Sequence, residues 1–92
     1  MIPLKQLAER VAREAPYALG MIPGVQEQLR LIATVNDDFE QAYAYYQGLM
    51  RNVVDLDPVV SFPALDDLSK EMNRRRRERN RDLRRRQPPA TG

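Results

Sequence analysis

Between Val25 and Val53, the residues Val25, Leu29, Ile32, Asn36, Phe39, Tyr43, Tyr46, Met50 and Val53 follow one another at alternating steps of four and three. That spacing puts all of them on one side of an α-helix, at the a and d positions of a heptad repeat. A strand, whose side chains alternate with period two, cannot present the set together. The chain is therefore expected to be all-α, with a long central helix over residues 25–56. Such a helix would be about 48 Å long, more than a compact domain of 92 residues needs. Asn36 stands at an a position, where a single polar residue fixes register at a cost in stability. The phase of the seam carries through Asn36, which favours continuity.

Two features oppose it. Val35, Ala42, Leu49 and Val54 flank the seam and widen it, as in a bundle or a partner's groove rather than a strict two-stranded coil. Asn36-Asp37-Asp38 is also poor helix interior, and Asp37 with Glu40 resembles a capping box. A break near residues 36–38 is thus the alternative. Gly48 costs roughly 1 kcal/mol relative to Ala in a helix interior, so packing must supply the stability.

The flanking segments are shorter. Leu4, Leu7, Ala8, Val11 and Ala15 recur at helical spacing, and Pro3 and Pro16 suit the start and stop of a short N-terminal helix. Residues 16–24 hold two Pro and two Gly and are expected to turn rather than coil. Residues 55–65 should form an extended strap bounded by Pro58 and Pro63. Its Val59-Val60-Ser61-Phe62 has no strand partner within the chain, so it is expected to lie across helices or dock on another protein. A C-terminal helix starts near Pro63 with a short apolar stripe of Leu65, Leu68 and Met72. It runs into an Arg-rich arm, stops at Gln87-Pro88-Pro89 and ends frayed.

Charge divides the chain in the same place. Residues 1–69 hold five bases and ten acids, a net −5, and residues 70–92 hold ten bases and three acids, a net +7. The overall +2 hides an acidic body, residues 1–69, carrying a basic arm, residues 70–92. Such asymmetry points to a polyanionic partner. The arm's bases past Lys70 are Arg74, Arg75, Arg76, Arg77, Arg79, Arg81, Arg84, Arg85 and Arg86, with no Lys among them. Guanidinium groups fork onto phosphate oxygens, whereas Lys acts as a point charge. At 100° per residue these arginines ring nearly the whole helix and leave only Leu83 apolar, so the segment is not expected to pack into its own core. It would suit a phosphate-lined groove. Glu71, Glu78 and Asp82 are spaced to pair with arginines three and four residues away. Residues 73–86 resemble the generic arginine-rich motif of RNA- and genome-binding proteins, which is a composition class rather than a family.

Much chemistry is excluded. The chain has no Cys and no His, which removes disulfides, thiolate metal sites and the commonest general base and metal ligand. No cofactor, metal site or catalytic residue is expected. The pairs Asp37/Asp38, Asp55/Asp57 and Asp66/Asp67 read as caps and turns. Gly20-Met-Ile-Pro-Gly24 lacks the Gly-Lys-Ser/Thr of a phosphate loop. Tyr45 lies off the seam and is the aromatic expected to be exposed. The longest uncharged stretch, Ala15–Gln26, is 12 residues broken by Pro and Gly, too short to span a bilayer. No secretory pattern opens the sequence, and an intracellular or particle-enclosed location is expected.

The function expected from these residues is that of a small non-enzymatic binding protein within a virion or ribonucleoprotein. Its nine arginines would contact the phosphate backbone of RNA or DNA. Its body would dock on protein, or on itself, through Leu29, Ile32, Asn36, Phe39, Tyr43, Tyr46, Met50, Val53 and Phe62. The alternatives are an assembly adaptor whose arm grips an acidic protein surface, its own body included, and a helical regulatory dimer.

Overall fold

Pro16 and Pro23 set the first boundaries. The residue before a proline is driven from α to extended backbone, and both Ala15 (ψ 133°) and Ile22 (ψ 115°) are extended. In the computed structural model, which describes residues 3–35, 38–56 and 60–86, five helices result: α1 (Leu4–Glu14), α2 (Tyr17–Gly20), α3 (Pro23–Thr34), α4 (Phe39–Val54) and α5 (Pro63–Arg86). No strand occurs among the described residues. The all-α expectation is met. The connector does more than turn, because Tyr17–Gly20 coils once and Pro23 already opens α3 as its first residue.

The central helix is not continuous. α3 ends at Thr34 and α4 begins at Phe39. Asp38 takes an extended backbone, and its Oδ1 accepts from the backbone N–H of Gln41 at 3.3 Å. An Asp cap satisfies one of the amides left open at a helix start and competes with continuation through it. Asp38 caps α4 through the Gln41 amide; Asp37, of the expected pair with Glu40, and Asn36 lie outside the described residues. α3 and α4 then fold back on each other as the most extensive helix pair among the described residues, α1 also packs against α3, and α5 lies chiefly against α1.

Folding back changes the buried face. On α3, Val25, Leu29 and Ile32 are buried as the seam requires, but on α4 the buried residues are Ala42, Tyr46, Leu49 and Val53. Phe39, Tyr43 and Met50 move to the edge of the core, where they are half-buried. Once the helix breaks, each half turns its own apolar side inward, and the flanking residues Ala42 and Leu49 become central. Two glycines permit the close approach. A Cβ on Gly24 would come within 2.8 Å of the Asn52 Oδ1, and one on Gly48 within 3.0 Å of the Gln28 Cδ. Asn52 Nδ2 in turn donates to the Gly48 carbonyl at 2.8 Å.

Of the strap expected over residues 55–65, residues 55–56 turn off the end of α4, Val60–Phe62 carry no regular structure, and residues 63–65 are not extended but form the first turn of α5, which Pro63 opens; residues 57–59 lie outside the described residues. Ser61 Oγ donates to Asp66 Oδ1 at 3.0 Å, tying the approach to the first turn of α5. Ala64, Leu65, Leu68 and Met72 on α5 join Leu4, Leu7 and Val11 of α1 in one core. Leu68 is fully buried and Leu83 is 46% exposed, although both are leucines of one helix. Leu68→Ala is expected to destabilise the chain by about 2–5 kcal/mol, through lost burial and the cavity left behind. Leu83→Ala should stay within about 0.5 kcal/mol. Urea unfolding followed by circular dichroism measures both.

Candidate nucleic-acid interface

α5 is 24 residues long, about 36 Å at 1.5 Å per residue, and it crosses the boundary between acidic and basic sequence without a break. Its N-terminal half is held by burial and its C-terminal half by charge. The nine arginines separate into three groups along it.

The first group faces inward, so the expectation that the segment would not pack into its own core is corrected for these residues. Arg75 is buried, and its Nε donates to Glu71 Oε1 at 2.8 Å. Arg79 donates from Nη1 to Glu40 Oε1 of α4 at 2.6 Å, and its guanidinium carbon sits 4.9 Å from the centre of the Phe39 ring. The Arg79 Nε is buried without a hydrogen-bond partner, while the planar group lies over the aromatic face that attracts cations. Phe39 stacks on Tyr43 with ring centres 5.3 Å apart, and Tyr43 tilts against Tyr46 at 6.0 Å. The aromatic row of α4 is thus joined to α5 at each step. Tyr46 Oη donates to Ser69 Oγ at 2.9 Å, Arg76 Nη1 donates to Tyr43 Oη at 3.3 Å, and Arg79 covers Phe39.

The second group is caged along the helix. Arg74 pairs with Glu71 and Glu78, three and four residues away. The hydrogen bonds from Arg74, followed by those from Arg75, hold the half-buried Glu71 carboxyl below its ordinary pKa of 4.5 despite burial. The same Glu71 contact raises Arg74 above its ordinary value.

The third group is outward. Arg77, Arg81, Arg84, Arg85 and Arg86 are exposed, and none has a carboxylate partner among the described residues. Every residue from Asn80 to Arg86 is exposed. Lys70 is exposed beside Arg74 and is likewise unpaired.

The residues expected to face a protein partner lie elsewhere. Leu29, Ile32, Tyr46 and Val53 are buried inside this chain's own core. Phe39, Tyr43, Met50 and Phe62 are half-buried against it, and Asn36 lies outside the described residues. Tyr45 is half-buried too, rather than exposed. The large apolar side chains that stay open are Tyr17 (83% exposed), Met21, Val54 and Leu83. Sequence periodicity missed Tyr17 and Met21 because they sit in the short connector, which no helical register describes. Among the described residues, no group of three or more acidic side chains gathers as a metal site, and no helix is long and apolar enough to cross a membrane. Of the paired aspartates, Asp38 caps α4 and Asp66 accepts from Ser61, as caps and turns do, whereas Asp67 reaches across to Arg10 of α1 at 2.7 Å. No family model, curated protein or solved structure matches the chain.

The lowered Glu71 pKa has a consequence for acid stability. A carboxyl whose native pKa is below its unfolded value contributes stability above the unfolded value and loses it as pH falls through the native one. Glu71 therefore stabilises above about pH 4.5. Glu71→Gln is expected to lower the melting temperature at neutral pH, with the gap from the parent closing as pH drops below the carboxylate range. A gap that stays constant with pH would assign the loss to packing instead.

Proposed function

We propose that this chain is a small non-enzymatic binding protein of a nucleoprotein assembly, a virion or ribonucleoprotein component, whose Arg-rich arm holds nucleic-acid phosphates while its body meets protein. One observation carries the reading. The chain's own acids engage Arg74, Arg75 and Arg79, whereas Arg77, Arg81, Arg84, Arg85 and Arg86 are exposed without a carboxylate partner among the described residues. An arm that served to clasp its own acidic body would spend its outermost arginines there. Guanidinium groups without such partners bind phosphate with two parallel hydrogen bonds. Backbone contacts of this kind carry no sequence information directly. The absence of His and Cys from the chain supports a binding role over a catalytic one.

The protein-docking half of the proposal moves away from the heptad seam, since self-association through Leu29, Ile32, Tyr46 and Val53 would require opening the core. Among the described residues, Tyr17 and Met21 on the connector and Val54 at the end of α4 are the large apolar side chains of the body left open to meet a neighbour.

Fluorescence anisotropy of a mixed-sequence nucleic acid, titrated with the full chain, tests the arm. With about five phosphates neutralised, affinity should fall about 10²–10³-fold between about 50 and 200 mM salt. Replacing Arg81, Arg84, Arg85 and Arg86 by Gln should abolish binding over the same range. No retention at low salt, or full retention by that variant, would overturn the proposal.

A further inference from the structure

We propose that the arm takes double-stranded nucleic acid from one side only, along a row formed by Lys70, Arg74, Arg77, Arg81 and Arg84, with Arg85 at its edge. This rests on the reading of the arm as a phosphate binder and adds which face is used and which form of nucleic acid fits it.

The row follows from helical geometry. At 100° per residue these six cations fall within an arc of about 100° and run about 22 Å along α5. They lie on the side away from Leu65, Leu68 and Met72, which are buried in the core. Beside them, Asp67, Glu71, Glu78 and Asp82 fall within a neighbouring arc of about 60°. The circumference of α5 is thus divided into a cationic face, an acidic strip and a body-facing side. Arg75 and Arg79 on the body-facing side are already bound to Glu71 and Glu40.

This division decides the mode of approach. A deep groove that surrounded the helix with phosphates would press Glu78 and Asp82, both exposed, against like charge. Approach from one side meets Lys70, Arg77, Arg81, Arg84 and Arg85, which have no carboxylate partner among the described residues. Arg74 beside them is already held by Glu71 and Glu78, and the acidic strip is left as a boundary to the footprint. The absence of aromatics from the row decides the form. Single strands are held by bases stacking on aromatic side chains in a basic groove. Phe39, Tyr43 and Tyr46 sit on α4 against the other side of α5, Tyr45 and Phe62 pack on the core, and Tyr17 belongs to α2. A duplex needs no stacking partner. It presents one phosphate charge per about 1.7 Å of its length, so 22 Å of it offers roughly a dozen, ample for six cations.

The test compares two pairs of equal formal charge in the full chain, Arg81→Gln/Arg84→Gln on the row and Arg76→Gln/Arg86→Gln off it. Anisotropy with a mixed-sequence DNA duplex is measured across salt, and helicity is checked by circular dichroism. The row pair should flatten the slope of log affinity against log salt by nearly two, and the off-row pair by less than half as much. A single strand of the same sequence should bind several-fold more weakly than the duplex. Equal flattening by the two pairs would overturn the one-sided face while leaving phosphate binding in place. Equal or tighter binding of the single strand would overturn the choice of duplex. No binding to either form would overturn this inference together with the reading it rests on.

Discussion

Burial of Ala64, Leu65, Leu68 and Met72 against α1 is the contact from which the rest of α5 is suspended. A helix with nine arginines in its last thirteen residues repels itself and gains little from its own i,i+3 and i,i+4 pairs, each worth a few tenths of a kcal/mol. Helix formation is cooperative, so a nucleus held by tertiary packing lets the following turns form without a new nucleation cost. The apolar turns of α5 supply that nucleus. Arg79 over Phe39 and against Glu40 extends the support nearly two turns past Met72, the last buried apolar residue of the helix. Beyond Asn80 no such hydrogen bond, ion pair or cation–π contact to the body recurs among the described residues.

The same helix sorts its charges. The acids at Glu71 and Glu78 hold Arg74, and Glu71 also holds Arg75. Buried or half-buried guanidinium groups need such partners because an unpaired charge is costly away from water. The outer arginines face water and need none, which leaves them available to a polyanion. An arginine run that looks uniform in composition is therefore two populations, one structural and one open.

A small domain of this size has little surface to bury, and the hairpin of α3 and α4 uses what it has. Folding the apolar positions of the heptad stretch onto each other, with the Asn52 and Gln28 side chains seated over Gly24 and Gly48, buries residues that an extended helix would have left to a neighbour. That is why a sequence that looks in need of a partner closes its own core. Among the described residues, the open large apolar side chains then fall off the seam positions, at Tyr17 and Met21 on the connector, at Val54 closing α4 and at Leu83 on the arm.

Periodicity and proline by themselves determined the helical class, the extents of α1 and α5, and the run of arginines on the latter, because each depends on spacing or on backbone sterics local to a few residues. The charge split between residues 1–69 and 70–92 was equally plain in composition. Continuity and a break near residues 36–38 were both open in the sequence, and tertiary structure decided that α3 and α4 separate ahead of the Asp38 cap. The heptad phase carries through the break unchanged, and only the competition between an Asp cap with hairpin burial and one exposed long helix resolves it. Tertiary structure also decided which arginines are open. That depends on where Glu40 and Phe39 stand on a different helix, 39 and 40 residues earlier in the chain than Arg79, a distance over which sequence spacing carries no geometry.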